Sequence, residues 1–407
     1  MQINLRSRFT LYTAILLIIS VSLFLSWCAW RNWLSYIYAS TSPPIGFEEA
    51  IRANSGNSQF YFMLGEYYAN DLSAPPNRVY ELYKKALELS PLDYNYWYYL
   101  ADFLSLNGKR DLALYTLNNA TGLAPGVVSL RWGAGILASR LGDEEALGSN
   151  LNAVINYDTR RRMKAFSVLW QSLRNGEKIR RIVPENAYNT YMHFLLTTHR
   201  LDEAKKVWNK YARKDNVPAD LFLRYVSVLI SQNDFSSAKS AWTERLGAWE
   251  GVWNGDFEEK GLNAGFDWRM QNGEGVKIKE SLDSTNKNHA IKIEFDGKHD
   301  VDFTPLSQLI PIKSQTTYKL SSLMKSNNIT SRNGLFWQVN CPGNEKLSVR
   351  SEELRGTTDW HAVSLIFTTP EGCNYVVLRL KRLKTDGFGT NISGTVWIDK
   401  VVLEKLQ

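Results

Sequence analysis

The sequence predicts a multidomain chain, α then β: an N-terminal transmembrane helix, an α-helical repeat solenoid and a C-terminal antiparallel β-sandwich of jelly-roll form. Three observations carry that fold class. An uncharged run from Phe9 to Trp30 is long enough to cross a bilayer, which takes about 20 apolar residues. Ala86-Leu87-Glu88-Leu89-Ser90-Pro91 is echoed by Ala120-Thr121-Gly122-Leu123-Ala124-Pro125, and 120 − 86 and 125 − 91 both give 34. Such a period marks helix pairs that bury their apolar faces by stacking on neighbours. After Trp253 the helical period stops, and short alternating segments take over, separated by Gly, Pro, Asn and Asp.

The elements follow in chain order. Residues 1–8 carry Arg6 and Arg8 with no nearby acid, so the positive-inside rule puts this end in the cytoplasm and the rest of the chain outside. Residues 9–30 form the anchor, and Trp27, Trp30, Trp33, Tyr36 and Tyr38 suit its outer interface. No small-x-small cleavage site ends the run, which favours a retained single-pass inner (cytoplasmic) membrane anchor with a periplasmic bulk over a removed signal. Residues 31–45 are a linker ending in Ser42-Pro43-Pro44, where proline stops the helix.

Residues 46–249 read as about ten helices. Tyr61, Leu64, Gly65 and Tyr68, then Tyr83, Ala86 and Pro91, form one unit; Trp97, Leu100, Ala101, Ala113, Leu117, Ala120 and Pro125 form the next. Small residues let helix backbones approach and large ones fill the gaps between them. Trp132 to Leu147 reads as a third unit with slipped spacing, and 148–185 as helical without a clean repeat. Ala204 and Trp208 return 34 residues later as Ala238 and Trp242. These positions resemble the tetratricopeptide family, which implies a scaffold for protein partners.

Residues 250–407 open with Asn254-Gly255-Asp256-Phe257-Glu258 and Gly265-Phe266-Asp267-Trp268. They continue through His289 to Phe295, Tyr318-Lys319-Leu320-Ser321, Thr358-Asp359-Trp360 and a closing Val396-Trp397-Ile398-Asp399. In that order the landmarks resemble galactose-binding-like jelly-rolls, most closely carbohydrate-binding modules of the family 4, 9 and 22 type. The resemblance implies a glycan ligand and a structural calcium ion held by Glu258 and Asp399. The plainer alternative makes Glu258 a solvated strand-end charge and Asp399 a partner of turn backbone.

A glycan site needs side chains on an open sheet face. Strand parity puts Val376, Leu378 and Leu380 inward, so Tyr375 and Arg379 point away from the core. It likewise separates Leu335, Trp337 and Val339 from Phe336 and Gln338. Phe336, Gln338, Tyr375 and Arg379 are the candidate ligand residues, and Trp268, Trp360 and Trp397 are read as core. Cys341 and Cys373 lie in this module, where an exported location permits a disulfide; their spacing leaves pairing or two buried thiols open.

Catalysis finds no constellation. Five histidines show no metal-ligand spacing, and no nucleophile elbow, phosphate loop or dinucleotide fingerprint occurs. The net charge of +7 is spread along the chain, without the basic stripe a nucleic-acid partner requires. By analogy, the two resemblances together with the anchor imply a non-enzymatic, membrane-anchored scaffold of bacterial envelope or exopolysaccharide assembly. Its helical repeats would take envelope or polysaccharide-assembly proteins and its sandwich a glycan. The alternatives are a protein-only envelope scaffold and, behind it, a glycan-processing enzyme.

Overall fold

The computed structural model describes residues 8–71, 73–211, 217–282, 289–384 and 391–406. Arg6, half of the charge signal for orientation, lies outside them. The chain forms two compact units, Met1–Tyr211 and Ala212–Gln407.

The first unit is helical. Its α1 (Arg8–Ala39) is the one helix among the described residues long and apolar enough to cross a membrane. It continues past Trp30 to Ala39, and its last turns are already tied to the repeats. Arg31 donates to the Ala53 carbonyl, Asn54 bonds Asn32, and the Tyr36 ring meets Phe60 at 5.4 Å. A cis Pro43–Pro44 bond precedes α2 (Ile45–Ala53).

Five helix pairs follow: α3 (Ser58–Ala69) with α4 (Pro76–Leu89), α5 (Tyr94–Leu106) with α6 (Arg110–Leu123), α7 (Val128–Leu141) with α8 (Glu144–Tyr157), α9 (Arg162–Leu173) with α10 (Gly176–Ile182), and α11 (Tyr188–Thr197) with α12 (Leu201–Tyr211). Side-chain oxygens of Asn57, Asp93, Asp143 and Asn175 accept from the first-turn amides of α3, α5, α8 and α10. Of the repeat positions, Leu64, Tyr83, Ala86, Leu100, Ala101, Ala113, Leu117 and Ala120 are buried, whereas Tyr61 and Trp97 are half-buried and Pro91 and Pro125 exposed.

The third unit is not slipped. α5, α7 and α9 begin at 94, 128 and 162, so 128 − 94 and 162 − 128 are both 34. The phase is carried by Leu100-Ala101 and Ala134-Gly135, not by Trp132. Gly135 serves where Ala101 served because α8 comes closer: a Cβ there would lie 2.6 Å from Leu151 Cδ2. The irregularity falls one unit later, where α10 has 7 residues against the 14 of α4, α6 and α8. Pro184 ends it by disfavouring helical backbone at Val183.

The second unit begins with α13 (Ala219–Ser231) and α14 (Phe235–Leu246). With these the chain has thirteen α-helices after α1 among the described residues, more than the ten expected, because α2 and α10 are too short to show a period. Ten strands then form two antiparallel five-stranded sheets. The strands are β1 (Arg269–Met270), β2 (Val276–Leu282), β3 (His289–Asp296), β4 (Phe303–Pro311), β5 (Thr317–Ile329), β6 (Phe336–Cys341), β7 (Asn344–Arg350), β8 (Gly356–Thr368), β9 (Tyr375–Arg382) and β10 (Ser393–Lys405). The first sheet runs β1-β4-β9-β6-β7 and the second β2-β3-β10-β5-β8.

Alternation of buried and half-buried residues along β9, and along β5 as far as Ser326, gives each sheet one inward apolar face, and the two faces share one core. The opening landmarks close it: Trp268 donates to the Asn254 carbonyl at 3.0 Å and its ring lies between Phe257 and Trp337. Trp242 of α14 packs with Trp249, Trp253 and Phe266. Gly265 sits at φ +60 against that ring, where a Cβ would fall 2.1 Å from Trp242 Cζ3. Gln308 holds the same junction, bonding both the amide and the carbonyl of Trp253.

Candidate functional site

The candidate site is the outward face of the first sheet. Register brings the predicted residues onto it. Gln338 on β6 stands directly opposite Arg379 on β9, and Phe336 stands opposite Lys381. Leu378, Leu380, Trp337 and Val339 face the core. Arg379 donates through Nη1 to Asn340 Oδ1 at 3.2 Å. Gln338 and Asn340 both reach Ser348 Oγ on β7, at 3.3 and 3.1 Å. The result is a connected polar surface of amides, a hydroxyl and a guanidinium. Burial pulls the Arg379 guanidinium below its ordinary range, as expected for a cation half removed from water.

Two of the predicted ligand residues are not open. Phe336 has the outward parity expected but is 3% exposed, with the Arg350 guanidinium 5.6 Å from its ring centre. Tyr375 is half-buried because Phe235, at the start of α14, packs on it at a tilt, with ring centres 4.4 Å apart. Beside that contact lies a hollow of about 420 Å³ lined by Asp234, Ser236, Cys341, Pro342 and Asn374. Parity reads a strand's two faces but says nothing of what a neighbouring helix or a long cross-strand side chain lays over one of them.

The three tryptophans also divide. Trp268 is fully buried, as core requires. Trp397 is instead half-buried on the outward face of the second sheet, where Lys292 and Lys325 reach its ring from β3 and β5 at 5.5 and 5.7 Å. Trp360 is half-buried on the edge strand β8. Cys341 and Cys373 are joined in a disulfide with Cα atoms 6.1 Å apart.

Glu258 and Asp399 each spend one oxygen on a local amide. Glu258 Oε1 accepts from the His289 amide at 2.9 Å, and Asp399 Oδ1 from that of Lys400 at 2.6 Å. Burial raises Asp399 above the ordinary carboxylate range, and repulsion from Glu258 and Asp256 adds to it. Two carboxylates that repel across a strand end are what a cation would relieve. Among the described residues no three His, Cys, Asp or Glu side chains stand together as a metal cluster, so further ligands would have to be backbone carbonyls.

Residues missed by sequence reasoning complete the face. Arg350 pairs with Gln338, Ser307 with Arg379, and Arg269 with Ser307. Their alternation is visible in sequence, but which strand lies beside which is not.

In the first unit, Tyr80, Leu87, Trp97, Leu112 and Tyr115 line an apolar hollow of about 350 Å³. Arg174, Arg200 and Trp170 line a second of about 480 Å³, with the Arg200 guanidinium 4.1 Å from the Trp170 ring centre.

Residues 82–115 match the tetratricopeptide repeat model. No curated protein sequence matches the chain. Among solved structures, the enzymatically active domain of tailspike protein 4 of bacteriophage CBA120 is 14% identical over 39% of this chain, at a TM-score of 0.28. That match spans only 21% of the tailspike chain. A CBM4 structure is 16% identical, covering 38% of this chain and 99% of its own, at 0.29. YrrB, a tetratricopeptide protein with an unusual peptide-binding site, is 15% identical over 49% of this chain and 89% of its own, at 0.28. The chain thus joins a stack of helix pairs, with a tetratricopeptide match over residues 82–115, to a sandwich of two five-stranded antiparallel sheets.

Proposed function

We propose that this chain is a non-enzymatic, single-pass scaffold of bacterial envelope or exopolysaccharide assembly. In this reading α1 lies in the inner membrane with its N-terminus cytoplasmic, and both units lie outside. The sandwich holds a glycan on the outward face of its first sheet, and the helical repeats hold a protein of the assembly machinery. The observation that carries the glycan half is the connected polar face of Gln338, Asn340, Ser348 and Arg379. Sugar hydroxyls need such paired donors and acceptors. Stacked repeats exposing an apolar hollow between Trp97 and Tyr115 support the protein half. A calcium ion at Glu258 and Asp399 would supply positive charge at the strand end and leave the glycan face untouched.

The second reading is a protein-only scaffold. It is favoured by the covering of Phe336 and Tyr375, which leaves the face without the open rings on which sugars stack. Full-length protein in detergent, applied to an array of bacterial glycans, separates the two. Binding to any glycan that is weakened by Gln338→Ala supports the first; silence across the array with an unchanged melting profile supports the second.

A further inference from the structure

The first sheet is chemically one-sided. Four of its five strands, β1, β4, β6 and β9, contain no Asp or Glu and β7 contains one, Glu345, whereas strands of the second sheet carry Glu280, Glu294, Asp296, Asp359, Asp399 and Glu404. Register places Arg269, Ser307, Arg379, Gln338 and Arg350 in one row across all five strands of the first sheet. An arginine therefore recurs at every second strand, a step of about 9.5 Å given the usual strand spacing.

Among the described residues none of these cations forms a close ion pair, although Asp267 acts on Arg269 and Glu353 on Arg350 at longer range. Arg379 meets the neutral amide of Asn340, Arg350 the ring of Phe336, and Arg269 the carbonyl of Asn263. Of these two acids, Glu353 is held by Arg355 at 2.7 Å, and Asp267 is buried with one oxygen on the Leu262 amide. Arg379, half-buried against a neutral amide, gains most from an anion because its lost hydration is unreplaced, while the exposed Arg269 and Arg350 add attraction along the row.

We infer that the glycan is an acidic polysaccharide lying across the strands, with an anionic sugar at every second position facing Arg269, Arg379 and Arg350. Two sugars of an extended β-linked chain advance about as far as two strands, so alternate acids fall in step with the row. This rests on the glycan reading proposed above and names its ligand class.

The test titrates full-length protein in detergent with three probes: a hyaluronan oligosaccharide, whose acid recurs at every second sugar, a neutral xylo-oligosaccharide and a DNA duplex. Hyaluronan should bind in a salt-sensitive way, and Arg379→Gln or Arg350→Gln should each weaken it about tenfold, as loss of one charge-assisted hydrogen bond implies. Arg350 is exposed, so its variant serves even where Arg379→Gln lowers the melting point. Tighter binding of the neutral probe, unaffected by either substitution, overturns the acidic ligand and leaves the glycan reading standing. Binding of neither sugar overturns the acidic ligand, and silence across the glycan array as well overturns the glycan reading. Equal affinity for DNA with the same arginine dependence overturns a saccharide-specific row.

Discussion

The ring of Phe235, the first residue of α14, lies 4.4 Å from the ring of Tyr375, the first residue of β9. A residue chosen from strand parity as a sugar contact thus joins helix to sheet within the second unit. Aromatic pairs contribute about 0.5–1.5 kcal/mol beyond the area they bury. A double-mutant cycle with Phe235→Ala and Tyr375→Ala, followed by urea melts, should give a coupling of about 1 kcal/mol. Strict additivity would show that the rings do not support one another.

Asp267 is 1% exposed; its Oδ2 accepts from the Leu262 amide, while Oδ1 has no partner. Burial raises its carboxyl above the ordinary 3.8. A raised carboxyl binds its proton more firmly in the folded state, so its contribution is full below 3.8 and is lost as pH rises through the folded value. Asp267→Asn keeps an acceptor for Leu262 and has no proton to lose. The variant should be more stable than the parent at pH 7, with the advantage disappearing as pH falls below 4. A variant less stable at every pH would refute the assignment.

Calcium at Glu258 and Asp399 would stabilise the native sandwich by about 2.7 kcal/mol when the free ion is 100-fold above Kd. At roughly 2–4 °C per kcal/mol for 150–250 residues, the melting midpoint should rise by several degrees. A chelator should reverse the gain, and Glu258→Gln or Asp399→Asn should abolish it. An unchanged midpoint with and without chelator would remove the site.

The Cys341–Cys373 bridge closes a sequence separation of 32 residues. For a loop of that length the chain-entropy model gives about 3–4 kcal/mol. Reductant should lower the stability of the second unit by about that much, and its midpoint by several degrees, whether or not chelator is present. Two freely alkylated thiols in the native protein would contradict the bridge.

The order of elements was legible in sequence because each has its own period. The apolar run, the small residues Gly65, Ala86, Ala101 and Ala120, and the alternation in β9 all report burial directly. The site was half legible. Gln338 and Arg379 do share a face, as alternation required, and register makes them direct neighbours. Arg269 and Arg350 were invisible because strand order is set by long-range pairing, which leaves no local mark. Trp397 misled for a related reason. A tryptophan inside an apolar strand reads as core, yet its parity with Thr395 and Asp399 turns it outward between two lysines. Phe336 erred the other way: its parity is outward, but Arg350 covers its ring.

The shortened α10 has a bearing on how the first unit comes apart. In a stack where each repeat touches only its neighbours, an opening spreads until it meets a step too weak to transmit it. Helices α4, α6 and α8 each offer four full turns to the next repeat, while α10 offers about two and buries only Ile179. The solenoid is thereby fitted with a fuse. Amide exchange should then show the repeats before residue 162 and those after 188 opening as separate blocks, and one common protection level across both would refute it.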